Sequence, residues 1–376
     1  MEIIDSEPPE AVRESKAYLT RQIITCLGNK RALLDFIGKG IRSVQNKLGK
    51  EKLSIFDAFS GSGIVARYCK RYADLLIAND LERYSAAVNE CYLSNRDVVN
   101  LGELKKTYRR LTAGMNDASL RRGIIAELYA PKDTACIQPH ERVFYTPRNA
   151  MYIDTLRQLI EELPDPEKKY FLAPLLSEAS IHANTSGVFK GFYKNRETGL
   201  GQFGGKNQDS LSRITGKIRL PFPVFSNFNA EVLIYNENSN DLIQRLPEVD
   251  LAYVDPPYNQ HPYGANYFML NLIVDYTRPE HISGVSGIPA DWNRSDYNKP
   301  GSAYAALYEL VSRIRAKYVL VSFNSEGFIT LPEMKDMLQR IGKLEILETD
   351  YNTFRGSRNL HSRGIHVKEY LYLLEK

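Results

Sequence analysis

The tetrapeptide Asp255-Pro256-Pro257-Tyr258 combines residue types that could act on the exocyclic amino group of a nucleobase. The lone pair of such a nitrogen is delocalised into the ring, so acceptors placed around its two hydrogens would favour attack on an electrophile. The Asp255 carboxylate and the Pro256 carbonyl are acceptors, and the prolines fix φ and offer no competing N–H. The ring of Tyr258 could stack on a base extruded from a duplex. An ordinary strand-ending turn is the alternative, but the four residues together favour a catalytic role for each.

A glycine-rich turn, FDAFSGSG, follows a predicted buried strand and precedes a predicted helix, where small residues let a cofactor approach the backbone. Its candidate cofactor-binding residues are Asp57, Phe59, Gly61 and Gly63. Asp80 follows Gly61 by 19 residues, near the end of the next strand, where an acid can hold ribose hydroxyls. Because Gly61, Gly63 and Ala66 also fit the dinucleotide pattern G-x-G-x-x-A, the turn alone does not distinguish S-adenosylmethionine from NAD. A strand–helix turn without a ligand is the third interpretation.

Alternating strands and helices would bring these residues to one edge of a sheet. LSIFDAF, LLIAND, EVLIYN, DLAYV and KYVLVSFN are apolar runs bounded by turn residues, and helical patterns lie between several of them. Ligands of open parallel sheets bind beyond the carboxyl ends of the strands, so Asp255 would face the same crevice as Gly61 and Asp80. KLEILETDY and VKEYLYLLEK could pair as an antiparallel hairpin at the sheet edge.

Composition limits the class of protein. The chain has 376 residues, which allows two domains or one large domain with a sizeable insertion, and its 43% apolar and 25% charged residues are typical of a globular protein. The four cysteines form no CxxC pair, so structural zinc and disulfides are not expected. The N-terminus lacks the pattern of a signal peptide and no run approaches the length of a membrane span, so we expect a cytoplasmic protein with no membrane partner.

The chain resembles the alpha group of DNA adenine-N6 methyltransferases, in which a cofactor-binding half, a target-recognition insert and a catalytic half follow one another in that order. LGNKRALLDFI resembles the N-terminal motif of that family, FDAFSGSG its glycine motif and DPPY its catalytic motif. The resemblance implies that S-adenosylmethionine is the cofactor, that Lys30 contacts its methionine end, that Asp80 binds its ribose and that Asn240-Asp241 recognises its adenine. Residues 322–329 and 351–376 look like the final blocks of a subgroup associated with type II restriction systems, such as those paired with the FokI and NlaIII nucleases.

The resemblance also implies a fold and a domain arrangement. We expect a Rossmann-like S-adenosylmethionine-dependent methyltransferase sheet, mostly parallel with an antiparallel terminal hairpin. Residues 1–98 and 231–376 would form the catalytic domain, and residues 99–230, which show no clean strand–helix alternation, would form an inserted target-recognition domain.

Positive charge is concentrated where double-stranded DNA would lie. The formal net charge is only +4, yet residues 190–219 contain seven basic and two acidic residues. A solvated surface is the alternative to phosphate contacts for such a segment. The candidate DNA-binding residues are Lys190, Lys194, Arg196, Lys206, Arg213, Arg355 and Arg358.

The sequence therefore predicts a site-specific DNA methyltransferase that flips an adenine and methylates its N6 amino group. Such an enzyme would protect host DNA in a restriction-modification system, with any cognate restriction endonuclease as a separate chain. RNA or cytosine-N4 could replace DNA adenine because both present an exocyclic amine. An NAD-dependent dehydrogenase is the alternative from another class of enzyme, although it leaves DPPY unexplained.

Overall fold

The computed structural model describes residues 13–205, 208, 210–352 and 366–376. Its strands are β1 (Leu53–Asp57), β2 (Ala73–Asn79), β3 (Glu231–Tyr235), β4 (Val249–Val254), β5 (Ala316–Asn324), β6 (Lys343–Asn352) and β7 (His366–Glu375). Its helices up to residue 181 are α1 (Lys16–Thr20), α2 (Leu34–Leu48), α3 (Ile64–Cys69), α4 (Arg83–Tyr92), α5 (Leu101–Thr112), α6 (Ile124–Leu128), α7 (Pro147–Glu161) and α8 (Asp165–Ile181). Those that follow are α9 (Leu211–Thr215), α10 (Ser239–Leu242), α11 (Tyr263–Asn266), α12 (Phe268–Asp275), α13 (Pro300–Arg313) and α14 (Leu331–Gln339).

The seven strands form one sheet in the order β3-β2-β1-β4-β5-β7-β6. Strands β1 to β5 are mutually parallel, and β7 pairs antiparallel with both β5 and β6. The strand order reverses between β1 and β4, which is the point where open parallel sheets leave a crevice for a ligand. The predicted α/β sheet with an antiparallel terminal pair is therefore confirmed.

Helices cover both faces of the sheet, because the parallel strands are apolar on both sides. On one face, buried residues of α2 such as Ile37 and Ile41 share a hydrophobic cluster with Ile55 of β1 and Leu320 of β5. On the other face, residues of α13 and α14 share a cluster with strand residues such as Val254. The short 3₁₀ turn Lys30–Leu33 precedes α2 and brings the side chain of Lys30 into the interior.

The segment 99–230 contains α5 to α9, joined by long irregular stretches, and none of the seven strands lies within its described residues. A single hydrophobic cluster joins α7 and α8 of this segment to α4 and α12, with Leu156 and Phe171 on one side and Val88 and Phe268 on the other. The segment thus packs against helices that flank the sheet. The predicted boundaries of a target-recognition domain stay a prediction.

None of the helices described by the structure is both long enough and apolar enough to cross a membrane.

Candidate active site

A cavity of about 430 Å³ lies at the carboxyl ends of β1, β2 and β4. Its volume falls within the range typical of small-molecule sites, roughly 300–1,000 Å³. Most residues that the sequence singled out for chemistry line it: Lys30, Phe59, Gly61, Asp80, Asp241, Asp255, Pro256, Pro257 and Tyr258. Gly63 and Asp57 belong to the same turn but lie behind the cavity wall.

The two glycines of the turn serve different purposes, although both have a left-handed backbone. Gly61 has φ +53° and open space where a Cβ would stand, so its backbone faces the cavity. Gly63 has φ +74°, and a Cβ there would lie 2.7 Å from Asn89 Oδ1 of α4. Gly61 therefore leaves room for a ligand, whereas Gly63 permits the close packing of α3 and α4.

Asp80 is fastened to the glycine turn by its carboxylate. Its Oδ2 accepts a hydrogen bond from the Gly61 backbone N–H at 2.7 Å, and its Oδ1 accepts one from the Glu82 N–H at 2.9 Å. Burial raises the pKa of Asp80, and these backbone donors oppose that effect. The carboxylate retains lone pairs that can accept hydroxyl donors from a ligand.

Asp57 ends β1 and is fully buried beneath the turn. The Ser60 hydroxyl lies close enough to oppose the rise in its pKa, but burial dominates and raises the pKa of Asp57 to about 8. Neither carboxyl oxygen of Asp57 nor Ser60 Oγ forms a regular hydrogen bond with another described residue. Buried polar groups are nearly always satisfied in native proteins, so this pair is chemically suited to a polar ligand or an ordered water.

The DPPY loop begins where β4 ends, next to the glycine turn. The Ala58 N–H donates to the Tyr253 carbonyl at 3.0 Å, which ties the ends of β1 and β4 together. Asp255 exposes 15% of its side chain and faces the cavity. The Tyr258 hydroxyl accepts a hydrogen bond from Asn324 Nδ2 at 2.9 Å, and its ring contacts Phe323 with centroids 5.2 Å apart.

A buried lysine stands between two carboxylates at this point. Lys30 Nζ lies 3.3 Å from Asp255 Oδ1 and 2.5 Å from Glu369 Oε1. Burial opposes the charge of Lys30, but Asp255, Tyr258 and Glu369 outweigh it and raise the pKa of Lys30. Burial raises the pKa of Asp255 to about 7, since Lys30 offsets only part of that effect and the charge of Glu369 opposes ionisation.

Hydrogen bonds hold the LGNK segment against the chain that follows the DPPY loop. The Leu27 N–H donates to the Tyr267 hydroxyl at 2.7 Å, and the Tyr263 hydroxyl donates to the Leu27 carbonyl at 2.8 Å. Gly28 has φ +73°, and a Cβ there would lie 3.1 Å from the Tyr263 hydroxyl. Glycine thus suits both the backbone conformation and the close approach that brings Lys30 to Asp255.

The opposite end of the cavity is aromatic and amide-lined. Phe59 and Tyr297 meet edge to face with ring centroids 5.1 Å apart. The Tyr297 hydroxyl donates to Asn240 Oδ1 at 2.7 Å, which orients the amide beside Asp241. This end can therefore hold a planar heterocycle with polar edges.

Three lining or supporting residues were missed by the sequence analysis. Glu82 is buried, accepts hydrogen bonds from Asn271 and Asn293, and has its pKa raised to about 7 mainly by burial. Tyr297 comes from a segment with no motif, and Glu369 comes from the terminal block 351–376, in which no residue was assigned a role in the cavity. Only Glu82 carried a usable signal, because it lies two residues after Asp80 in the predicted turn.

The basic segment begins next to the active-site mouth. Lys190 is exposed and close enough to His261 to lower the pKa of that imidazole, to which burial contributes most. Lys194 and Arg196 are exposed on a hairpin whose strands meet at a bridge between Lys194 and Gly201. These exposed cations are therefore available to a large anionic partner.

The side chain of Arg213 forms hydrogen bonds within the protein, whereas Lys190, Lys194 and Arg196 are exposed. Its guanidinium donates to the backbone carbonyls of Ile181 and Ala183, at the end of α8. These contacts fasten α9 to α8, and a DNA contact by Arg213 stays a prediction. Three other predicted DNA contacts, Lys206, Arg355 and Arg358, lie outside the described residues.

Comparisons with known proteins agree with this site. The model of the D12 class of N6 adenine-specific DNA methyltransferases matches residues 27–324. That match favours adenine N6 over cytosine-N4, DNA over RNA, and methyl transfer over the dehydrogenase alternative. Because the reaction of the family is methyl transfer, a methyl donor is implied.

Three curated relatives are similar over 93% of the chain. The type II methyltransferase NlaIII of Neisseria lactamica is 29% identical over 98% of its own length. The type II methyltransferase CviAII of Paramecium bursaria Chlorella virus 1 is 26% identical over 97% of its length. The modification methylase LlaI of Lactococcus lactis subsp. lactis is 28% identical, but the chain spans only 54% of it. With the family match covering most of the chain, the protein belongs to the D12 class of N6 adenine-specific DNA methyltransferases.

Proposed function

We propose that this chain is a site-specific methyltransferase that uses S-adenosylmethionine to methylate adenine N6 within double-stranded DNA. The observation that carries the proposal is the position of Asp255, whose carboxylate faces the same cavity as Gly61 and Asp80. A base acceptor and a cofactor cradle are thus adjacent at the strand ends of one crevice.

The residues present fit S-adenosylmethionine. Open space above Gly61, the carboxylate of Asp80 and the unsatisfied hydroxyl of Ser60 suit a polar, ribose-containing ligand. Phe59 and Asp241 would hold the adenine end, Asp80 the ribose, and Lys30 and Asp57 would lie toward the methionine end. The cofactor would supply an electrophilic methyl group carried on a sulfonium.

Asp255 and the Pro256 carbonyl would bind and orient the target amino group. Among the described residues, Lys30 contacts Asp255 at Oδ1, and no hydrogen bond reaches Oδ2. Oδ2 and the Pro256 carbonyl can therefore accept the two amino hydrogens, which would localise the nitrogen lone pair. The amine needs no strong base before attack, because its proton becomes acidic once the nitrogen is methylated.

Tyr258 would stack on the flipped adenine. Its ring is held by Phe323 and its hydroxyl by Asn324, so the aromatic face has little freedom to move. A preorganised ring reduces the entropy lost when an extruded base binds. Pro257 extends the same rigid loop.

DNA would lie across the cavity entrance beside the segment 99–230. Lys190, Lys194 and Arg196 would contact phosphates there, and the segment would read the target sequence. The relatives NlaIII and CviAII are named type II methyltransferases, which supports a role in a restriction-modification system. A cognate restriction endonuclease would be the partner in such a system, and a cytoplasmic location would suit both.

Product analysis tests this function. The protein is incubated with methyl-labelled S-adenosylmethionine and mixed-sequence duplex DNA, with RNA of matched sequence in parallel. Nucleosides from each reaction are separated and identified by mass spectrometry. We expect N6-methyladenine from DNA alone and within one short sequence context. Label on RNA, on cytosine, or at every adenine would contradict the proposal.

A further inference from the structure

Glu369 is a buried carboxylate that the catalytic motif does not include. It lies on β7, exposes 2% of its surface, and is paired in register with Asn324 of β5. Its Oε1 contacts Lys30 Nζ at 2.5 Å and accepts a hydrogen bond from Ser322 Oγ at 3.2 Å. A group held this firmly beside the catalytic loop is positioned to influence it.

Lys30 lies closer to Glu369 than to Asp255. The ammonium is 2.5 Å from Glu369 but 3.3 Å from Asp255. Lys30 has one charge and three N–H donors. A strong contact to Glu369 therefore weakens the interaction between Lys30 and the Asp255 carboxylate. Without Glu369, the buried ammonium would have Asp255 as its remaining acidic neighbour among the described residues. The distance between Lys30 Nζ and the Asp255 carboxylate would then shorten.

A closed Lys30–Asp255 pair would compete with the substrate. Both Lys30 and the amino group of adenine are donors, so each hydrogen bond that Asp255 accepts from Lys30 reduces its capacity to accept from the base. The same strand pairing places Asn324, which holds the Tyr258 hydroxyl, opposite Glu369. The β5–β7 pair therefore supports both sides of the base-binding loop.

We propose that Glu369 is a positioning residue for methyl transfer, which draws Lys30 away from Asp255 and keeps that carboxylate available to the target amino group. This inference rests on the proposed role of Asp255 and adds a residue from the terminal strand pair to it. Glu369 itself does not touch the substrate.

The charges around Asp255 determine how this role is detected. The titratable groups that face it or its partners are Lys30, Glu369, Tyr253, Tyr258, Tyr263, Cys26 and Asp57. Glu369 is the acid among them that opposes ionisation of Asp255 most directly, so its neutralisation should lower the pKa of Asp255. A residue that only stabilises β7 would not change that pKa.

The test is a pH profile of the single-turnover methyl-transfer rate at saturating S-adenosylmethionine and duplex DNA. For Glu369→Gln we expect the plateau rate to fall by about 10- to 100-fold, as for a misplaced catalytic group. The acid limb should move to lower pH. Glu369→Asp, which withdraws the carboxylate by one methylene, should be intermediate in both quantities. The matched control is Glu345→Gln, an exposed acid of β6 paired with Lys47, which should leave the profile unchanged.

The outcomes separate this inference from the proposed function. If Glu369→Gln and Glu369→Asp both keep the wild-type plateau and acid limb, Glu369 has no positioning role. A fall in rate with an unmoved acid limb would also contradict it and would indicate structural support alone. If instead the wild type itself does not methylate adenine, or Asp255→Ala retains activity, the proposed function fails.

Discussion

The backbone N–H of Gly61 and the Oδ2 atom of Asp80 are joined by a hydrogen bond of 2.7 Å. The contact links the turn after β1 to the end of β2, two regions that the sequence identified separately. It fixes the distance between the open backbone that faces the cavity and the acid assigned to the ribose. The two parts of the proposed cofactor site, the Gly61 backbone and the Asp80 carboxylate, therefore depend on the conformation of the same turn.

Alanine at the two turn glycines should separate ligand binding from folding. Gly61→Ala adds a methyl group to the cavity wall, so we expect the dissociation constant for S-adenosylmethionine to rise about tenfold, with a stability loss of about 1 kcal/mol from the positive φ. Gly63→Ala must also displace Asn89, so its stability loss should be larger. Calorimetric titration and thermal unfolding measure the two effects. Equal cofactor affinity for wild type and Gly61→Ala would contradict the assignment of that glycine.

The rate of methyl transfer should depend on the ionisation of Asp255. Burial raises the pKa of this carboxyl to about 7, and a proton on Oδ2 would turn the oxygen that faces the amino group from an acceptor into a donor. The single-turnover rate should therefore be constant above about pH 8, half-maximal near pH 7, and fall about tenfold per pH unit well below it. A rate independent of pH between 5.5 and 8.5 would show that ionisation of Asp255 is not required.

Ionisation of Asp57 should make the folded protein less stable as pH rises. Burial raises the pKa of Asp57 in the folded protein to about 8, far above the ordinary value of an aspartate, so between those two values the carboxyl ionises only in the unfolded chain. Asn at this position removes the titration, and the gain in melting temperature of Asp57→Asn should grow between pH 5 and pH 8. A gain that does not change with pH would contradict burial of the carboxyl.

Asp250 provides a control of opposite sign. Burial opposes its ionisation, but hydrogen bonds from Lys50 and Lys317 outweigh this and lower the pKa of Asp250 to about 2. Its contribution to stability should be present above about pH 4 and lost as pH falls through 2. Asp250→Asn should therefore lower the melting temperature at neutral pH, where Asp57→Asn raises it.

Neutralising the basic segment should weaken DNA binding without affecting the cofactor. Replacing Lys190, Lys194 and Arg196 with alanine removes three exposed cations of the basic segment. Each lost phosphate contact should reduce the slope of log K against log salt concentration by about 1. A control with the same charge change replaces Lys39, Lys335 and Arg340, which lie on or next to α2 and α14. Equal DNA affinity and salt slope for both variants would show that the segment is only a solvated surface.

The fold was largely predictable because its strands are short apolar runs with clear boundaries. LLIAND and EVLIYN became β2 and β3, and the two terminal runs paired antiparallel as expected. The sequence could not show that β7 lies inside the sheet between β5 and β6. Strand order depends on packing between distant segments, which local periodicity does not record.

The site was predictable where chemistry and spacing occur together in the sequence. Asp255, Gly61 and Asp80 lie in short motifs after strands, and all three line the cavity. Glu369 and Tyr297 do not, since each reaches the site through pairing or packing of residues remote in sequence. Arg213 was predicted to contact DNA because it lies in a basic run. The sequence did not indicate that its guanidinium donates hydrogen bonds to backbone carbonyls instead.

The most direct test of the account compares Asp255→Ala with the wild type in two measurements on the same preparations. Single-turnover transfer of labelled methyl to duplex DNA should fall by at least about 10²-fold, because a preorganised acceptor for the amino group is lost. The dissociation constant for S-adenosylmethionine should change by only a few-fold, since Gly61, Asp80 and Phe59 remain in place. Methyl transfer near the wild-type rate, or loss of cofactor binding in parallel with activity, would contradict the role of Asp255 as the acceptor for the target base.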